Sequence, residues 1–132
     1  MRKSTDRPTK VEDLMTYDVV TLAPEDPVDR ARDLMLSMGI HGLPVVDDDG
    51  RVVGIVTSHD LVDDWPPSEP LSSVMSRSVV TIESDAGLVE AAQVMKSELV
   101  HHLVVVSRRR PCGVISTYDM LDALIEGAAV QT

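Results

Sequence analysis

The stretch VEDLMTYDVVTLAPEDPVDRARDLMLSMGIHGLPVV, residues 11–46, decides the fold, because it recurs as LSSVMSRSVVTIESDAGLVEAAQVMKSELVHHLVVV at residues 71–106. The pairs Met15/Met75, Val19/Val79, Val20/Val80, Thr21/Thr81, Ala31/Ala91, Met35/Met95, Ser37/Ser97, His41/His101, Leu43/Leu103, Val45/Val105 and Val46/Val106 are identical. One deletion later, GIVTSHD (54–60) overlies GVISTYD (113–119), pairing Gly54 with Gly113, Thr57 with Ser116 and Asp60 with Asp119. Matches this dense at a fixed offset mark an internal duplication, which fixes the architecture before any single element is assigned.

Each copy reads β-α-β-β-α, an α/β unit with a small mixed sheet and helices. A short amphipathic turn (Val11 to Met15) leads into extended Val19-Val20-Thr21-Leu22. Pro27 suits a helix's first turn, with Asp26 as the expected cap. Val28, Ala31, Leu34, Met35 and Met38 recur at helical spacing, and Gly39 ends that helix. LPVVD and RVVGIVT flank Asp48-Asp49-Gly50, a hairpin signal, and Ser107 to Arg110 holds the matching turn. Ser58 to Asp64 reads as the start of a further helix. In the second copy Val89, Ala92, Val94 and Met95 repeat the helical face. DDWPPSEP (63–70) cannot continue helix or sheet. The expected organisation is a flexible tail at 1–10, repeat one at 11–64, a linker at 65–70, repeat two at 71–126 and a tail at 127–132. A repeat of about 55 residues buries little surface alone. The simplest partner for its one-sided sheet is the other copy, related by a pseudo-two-fold axis, with two equivalent clefts at the seam.

Composition narrows the function. The chain has 132 residues and is 43% hydrophobic, enough for a core. Its 12 Lys+Arg against 22 Asp+Glu give a net charge of −10, which repels nucleic acid and anionic membrane. Phe is absent, and one Trp and two Tyr offer no base-stacking platform. The lone Cys112 makes no internal disulfide or Cys-based zinc site, and its apolar strand implies a buried, inert thiol. No apolar run is long enough for a membrane helix, and MRKSTDRPTK has no signal-peptide pattern. A cytoplasmic location is expected.

Two matched constellations carry candidate chemistry. Gly54 and Gly113 allow close approach to the backbone. Thr57 or Ser116 places a hydroxyl beside free N–H groups at a helix start, and Asp60 or Asp119 comes one turn on. This suits a ribose-phosphate; a Ser/Thr cap with an acidic first turn explains the same residues without a ligand. His41, His101 and His102 precede the matched strands, either reaching phosphate or hydrogen-bonded at a helix–strand junction. No metal site is indicated, since no Cys partners these histidines and HExxH is absent. Met15, Met35, Met38, Met75 and Met95 read as core. Arg108-Arg109-Arg110 reads as a solvated turn. No nucleophile–base arrangement or P-loop appears, so no catalytic residue is assigned and the chain is not read as an enzyme.

The pattern LMTYDVVTL/VMSRSVVTI, GIHGLPVVDDDGRVVGIVTSHDL and HHLVVVSRRRPCGVISTYDML resembles the CBS (cystathionine β-synthase) domain. The whole chain resembles one tandem pair, a stand-alone Bateman module, from about residue 11 to 125. The resemblance implies a regulatory module that binds AMP, ADP, ATP or S-adenosylmethionine in clefts between the repeats and signals occupancy to an as yet unknown regulated protein. It also implies a homodimer paired through helices. The alternative is a ligand-free interaction scaffold. By the same resemblance the Ser/Thr of each G-h-h-[ST]-x-x-D holds phosphate and the Asp holds ribose, which gives Thr57 with Asp60 and Ser116 with Asp119. Adenine is lined by Thr16, Val20 and Ile40 for the Asp119 cleft, and by Ser76, Val80 and Val100 for the Asp60 cleft. His101 and His102 serve phosphate in the Asp60 cleft and His41 in the Asp119 cleft. Tyr118, beside Asp119, packs on a nucleotide or fills its pocket.

Overall fold

The computed structural model describes residues 10–15 and 20–131, with side chains through Gly127. In chain order the elements are α1 (Val11–Leu14), α2 (Val28–Met38), β1 (Gly42–Val46), β2 (Val52–Thr57), a 3₁₀ turn (Leu71–Ser73), β3 (Thr81–Glu83), α3 (Leu88–Glu98), β4 (His102–Ser107), β5 (Arg110–Ser116) and α4 (Thr117–Gln131). They gather into two compact units.

The first unit runs from Val20 to Val79 and takes in Arg108–Pro111. Strands β1 and β2 pair antiparallel with Leu43 opposite Val56 and Val45 opposite Gly54, and the register shifts after Val45. Their turn is closed by Asp47, whose Oδ1 accepts the N–H groups of Asp49 and Arg51 at 2.9 Å each. Gly50 has φ 83°, a left-handed conformation that glycine adopts without penalty. Helix α2 covers this hairpin through Val28, Ala31 and Met35, all buried with Leu22, Leu43, Val45 and Val56. Met38, expected in the core, is 40% exposed. The helix ends at Gly39, φ 65°, as the sequence predicts.

The start of α2 departs from expectation. Pro27, not Asp26, holds the cap position, and no side chain caps the helix. Asp26 Oδ2 instead accepts the Ala23 N–H at 2.8 Å. The orphan N–H groups of Val28 and Asp29 donate to the carbonyls of Glu69 (2.8 Å) and Pro67 (3.1 Å). The Pro-rich segment read as a linker therefore caps a helix with its backbone. Trp65 joins it, packing on the core and donating Nε1–H to Asp60 O at 3.0 Å.

Ser58 to Asp64 makes turns rather than a helix. Too few residues precede Pro66-Pro67 to propagate one, and the residue before a proline disfavours the helical region. The freed carbonyls of Leu61 and Asp63 accept hydrogen bonds from Arg32 Nη2 at 3.2 and 3.1 Å. The extended lead-in is also thinner than predicted. Val19 lies outside the described residues, and the segment contributes a single parallel bridge, Leu22 to Val45.

The second unit combines α1, Val80–Ser107 and the chain from Cys112. Its sheet has the order β3-β4-β5, with β3 parallel to β4 and Ile82 opposite Val105. Helix α3 buries Ala91 and Met95. Val89, expected on that face, is exposed, as is Ala92. Ala91 and Met95 match the buried Ala31 and Met35 of α2, Leu88 is half-buried where α2 has buried Val28, and only Val94 and Met95 of the predicted face pack inward. Helix α3 ends at Leu99, φ 57°, where the first copy has glycine. Cys112 is half-buried rather than buried.

The lead-in segments are exchanged between copies. Helix α1, at the head of copy one, packs in the second unit: Val11 N–H donates to Ala86 O (2.9 Å) and Glu12 N–H to Ser84 O (3.0 Å). Val11 and Met15 belong to that unit's core. Leu71 and Met75, at the head of copy two, belong to the core of the first unit. Among the described residues, no helix is long and apolar enough to cross a membrane.

Candidate ligand-binding site

The matched motifs end β2 and β5. At the first, the Asp60 carboxylate folds back on the strand end: Oδ2 accepts the Thr57 N–H at 2.8 Å and the Thr57 hydroxyl at 3.1 Å, while the Asp60 N–H lies 3.4 Å from Thr57 Oγ1. At the second, Asp119 Oδ2 accepts the Ser116 N–H at 2.7 Å and hydroxyl at 3.0 Å, and the Asp119 N–H donates to Ser116 Oγ at 3.2 Å. Each is a reciprocal box in which side chain and backbone satisfy each other. Both aspartates are half-buried, and neither Oδ1 has a hydrogen bond among the described residues. Each box thus presents one carboxylate oxygen, able to accept from a hydroxyl pair, on a rigid mount.

The two boxes lead into different structures. Ser116 opens directly into α4, whose N-terminal N–H groups favour negative charge. Thr57 opens into one turn only, held by Leu61 N–H to Ser58 O at 3.2 Å. The helix-dipole support expected at both sites is present at Ser116 and lacking at Thr57.

The histidines are tied in through their backbones. His41 O accepts the Ser58 N–H and His101 O the Thr117 N–H, both at 2.9 Å. Thr117 Oγ1 also donates to His101 O at 3.2 Å and lies 3.4 Å from His101 Nδ1. Both rings are exposed; His102 begins β4 and is half-buried. Of the candidate residues, Val20, Ile40, His41, Thr57, Asp60 and Ser76 fall in the first unit, and Val80, Val100, His101, His102, Ser116, Tyr118 and Asp119 in the second. Val20 and Ile40, and Val80 and Val100, are half-buried against their own unit's core. Tyr118 is exposed. Thr16 lies outside the described residues.

The close approach predicted at Gly54 is real, but the chain itself makes it. A Cβ there would stand 2.6 Å from Met75 Sδ and 3.0 Å from Ser76 O. Ser76 and Ile55 exchange both backbone hydrogen bonds at 2.9 Å. Sequence reading missed this bridge, whose signal was the extended lead-in of copy two. It also missed that Thr57 and Asp60 bind each other, although the S/T-x-x-D spacing is that of a capping box. Among the described residues, no three His, Cys, Asp or Glu side chains converge as a metal ion requires.

Residues 11–65 and 71–126 each match the family model for the CBS domain, and the chain belongs to that family as a tandem pair. A CBS domain-containing protein of Dictyostelium discoideum is 34% identical over 132 residues, covering 88% of this chain and 91% of that protein. The inosine-5′-monophosphate dehydrogenase of Methanocaldococcus jannaschii is 33% identical over 113 residues, covering 85% of this chain and 23% of that enzyme. The chain spans 23–24% of the length of the first curated relatives it matches. The CBS domain pair of protein MJ0100, solved in complex with 5′-methylthioadenosine and S-adenosyl-L-methionine, is similar with a TM-score of 0.78 and 26% identity, covering 92% of this chain and 98% of that one.

Proposed function

We propose that this CBS pair is a regulatory module, not an enzyme, that binds an adenosyl ligand (AMP, ADP, ATP or S-adenosylmethionine) and signals its occupancy to a partner protein. The observation that carries this reading is the doubled box, which leaves Oδ1 of Asp60 and of Asp119 to accept ribose hydroxyls. The adenosyl compounds bound to the similar MJ0100 pair support the ligand class. Thr57 and Ser116 lie beside the phosphate, and His41, His101 and His102 meet its charge. The remaining candidates, Thr16, Val20, Ile40, Ser76, Val80, Val100 and Tyr118, line the base. The module acts as a homodimer, which the exposed Leu121, Leu124 and Ile125 on α4 support.

A ligand that binds only the folded chain adds about 2.7 kcal/mol at 100 times its dissociation constant. Melting temperature should therefore rise saturably with at least one adenosyl compound and little with GTP. By calorimetry, Asp60→Ala and Asp119→Ala should each lose a hydrogen bond to a charged group, about 1.5–3 kcal/mol, at one of two sites. A flat thermal response across millimolar adenosyl ligands sinks the sensor reading. A ligand-free scaffold is then the reading that stands, and one observation favours it: each box is already satisfied within its own turn.

A further inference from the structure

Strands β4 and β5 are joined by two residues, Arg108 and Arg109, with φ 53° and 68°. Positive φ at both central positions is the signature of a type I′ turn, which Asn-Gly adopts with least strain. Two arginines hold it here at a cost in backbone strain. The matched turn of the first hairpin carries Asp47, Asp48 and Asp49, so the two copies have opposite charge at this one place. The Arg110 side chain reaches the first hairpin: its Nη1 would stand 2.7 Å from a Cβ at Gly50. Arg108, Arg109 and Arg110 are all exposed, and none has an ion-pair or side-chain hydrogen-bond partner among the described residues.

In a chain whose net charge is −10, this strained turn holds three exposed guanidinium groups with no ion-pair partner among the described residues, a chemistry that suits an anion. Guanidinium forks bind carboxylates in bidentate fashion. The rest of the chain is strongly acidic, and charges are screened beyond about 8–10 Å in physiological salt. A long polyanion would meet that repulsion along its length, whereas a short acidic segment on the turn meets chiefly the Asp47–Asp49 turn that precedes Gly50. We propose that the Arg108–Arg110 turn is a docking point for a short, carboxylate-rich segment of a partner protein.

The test uses the full chain and a fluorescein-labelled hexaglutamate peptide, read by anisotropy at 50 and 200 mM NaCl. Oligothymidylate and inorganic tripolyphosphate serve as competitors. The parent should bind the peptide saturably and lose about tenfold in affinity at the higher salt. R108N/R109G keeps the turn type and should melt at or above the parent temperature, so loss of binding reads the guanidinium groups and not the fold. Binding to that variant should fall at least about tenfold, and R108K/R109K, which keeps charge but not the fork, should fall between the two. A parent that does not bind the peptide, a variant that binds it equally well, or tighter binding of oligothymidylate or tripolyphosphate each overturns the proposal.

Discussion

Asp60 and Asp119 show how one side chain serves fold and ligand together. Oδ2 of each is committed to its own strand end, and the position of Oδ1 results from that commitment. Removing the carboxylate takes away both mount and acceptor; Asp60→Asn and Asp119→Asn separate the two by keeping an acceptor oxygen for the box while removing the charge. Cys112 illustrates the opposite case, a side chain whose surroundings disfavour its reactive form. Burial first, then the nearby Glu12 and Glu83 carboxylates, raise its pKa above the ordinary thiol value. The thiolate is the reactive form, so a raised pKa means less of it at neutral pH. Alkylation by iodoacetamide at pH 8 should lag glutathione, and Glu12→Gln with Glu83→Gln should shift the pH–rate midpoint downward. A Cys112 that reacts as fast as glutathione contradicts this. The sequence placed Cys112 in an apolar strand correctly, yet the flanking carboxylates come from α1 and β3, distant in the chain.

Helix ends carry the asymmetry between the copies. Gly39 and Leu99 share the left-handed cap position, φ 65° and 57°. Leucine there costs about 1–2 kcal/mol of backbone strain. Leu99 is 87% exposed, so removing its side chain forfeits little burial. Leu99→Gly should raise stability, by up to about 1 kcal/mol once the looser unfolded chain is counted, and Gly39→Ala should lower it by about 1 kcal/mol. Equal urea midpoints for both variants would refute the argument. The boxes differ similarly: Ser116→Ala should cost about 1 kcal/mol and reduce far-UV helicity because α4 begins there, whereas Thr57→Ala should leave helicity unchanged. Helix α2, the hairpins and the Ser/Thr–Asp spacing were legible because each rests on local periodicity or turn chemistry. The helix expected after Thr57 failed because Pro66-Pro67 cut it short and Arg32 took its carbonyls, and only the folded chain shows the second of these causes. Asp26 was misread because the true caps of α2 are carbonyls some forty residues downstream, Pro67 and Glu69.

For the whole molecule, the duplication legible in sequence is not the partition of the cores. Leu71 and Met75 complete the core that holds Val28 and Leu43, while Val11 and Met15 complete the core that holds Leu103 and Ile115. No pattern in the sequence announces this, since apolar periodicity says which residues are buried and not against what. Fragments cut by homology and by core should therefore behave differently. A chain of residues 1–64 lacks Leu71 and Met75, and each large side chain lost from a core costs about 2–5 kcal/mol against a total stability of about 5–15 kcal/mol. It should show no cooperative urea transition. Residues 20–79 keep every buried side chain of that core, and should unfold cooperatively with dispersed amide signals before denaturation. If the fragment 1–64 folds and 20–79 does not, the assignment of cores is wrong.

The exchanged lead-in segments also bear on synthesis. A protein made of two consecutive modules folds the first while the second is still being translated. Here α1 leaves the ribosome early and has no core to join until Leu103 and Ile115 have emerged after it. Its apolar residues Val11 and Met15 must wait until Ile115 has been translated, so the nascent chain carries an unsatisfied apolar segment over that interval. A chaperone that binds short apolar segments would have access to α1 over that interval, and truncating the chain before Leu103 would leave Val11 and Met15 without their core.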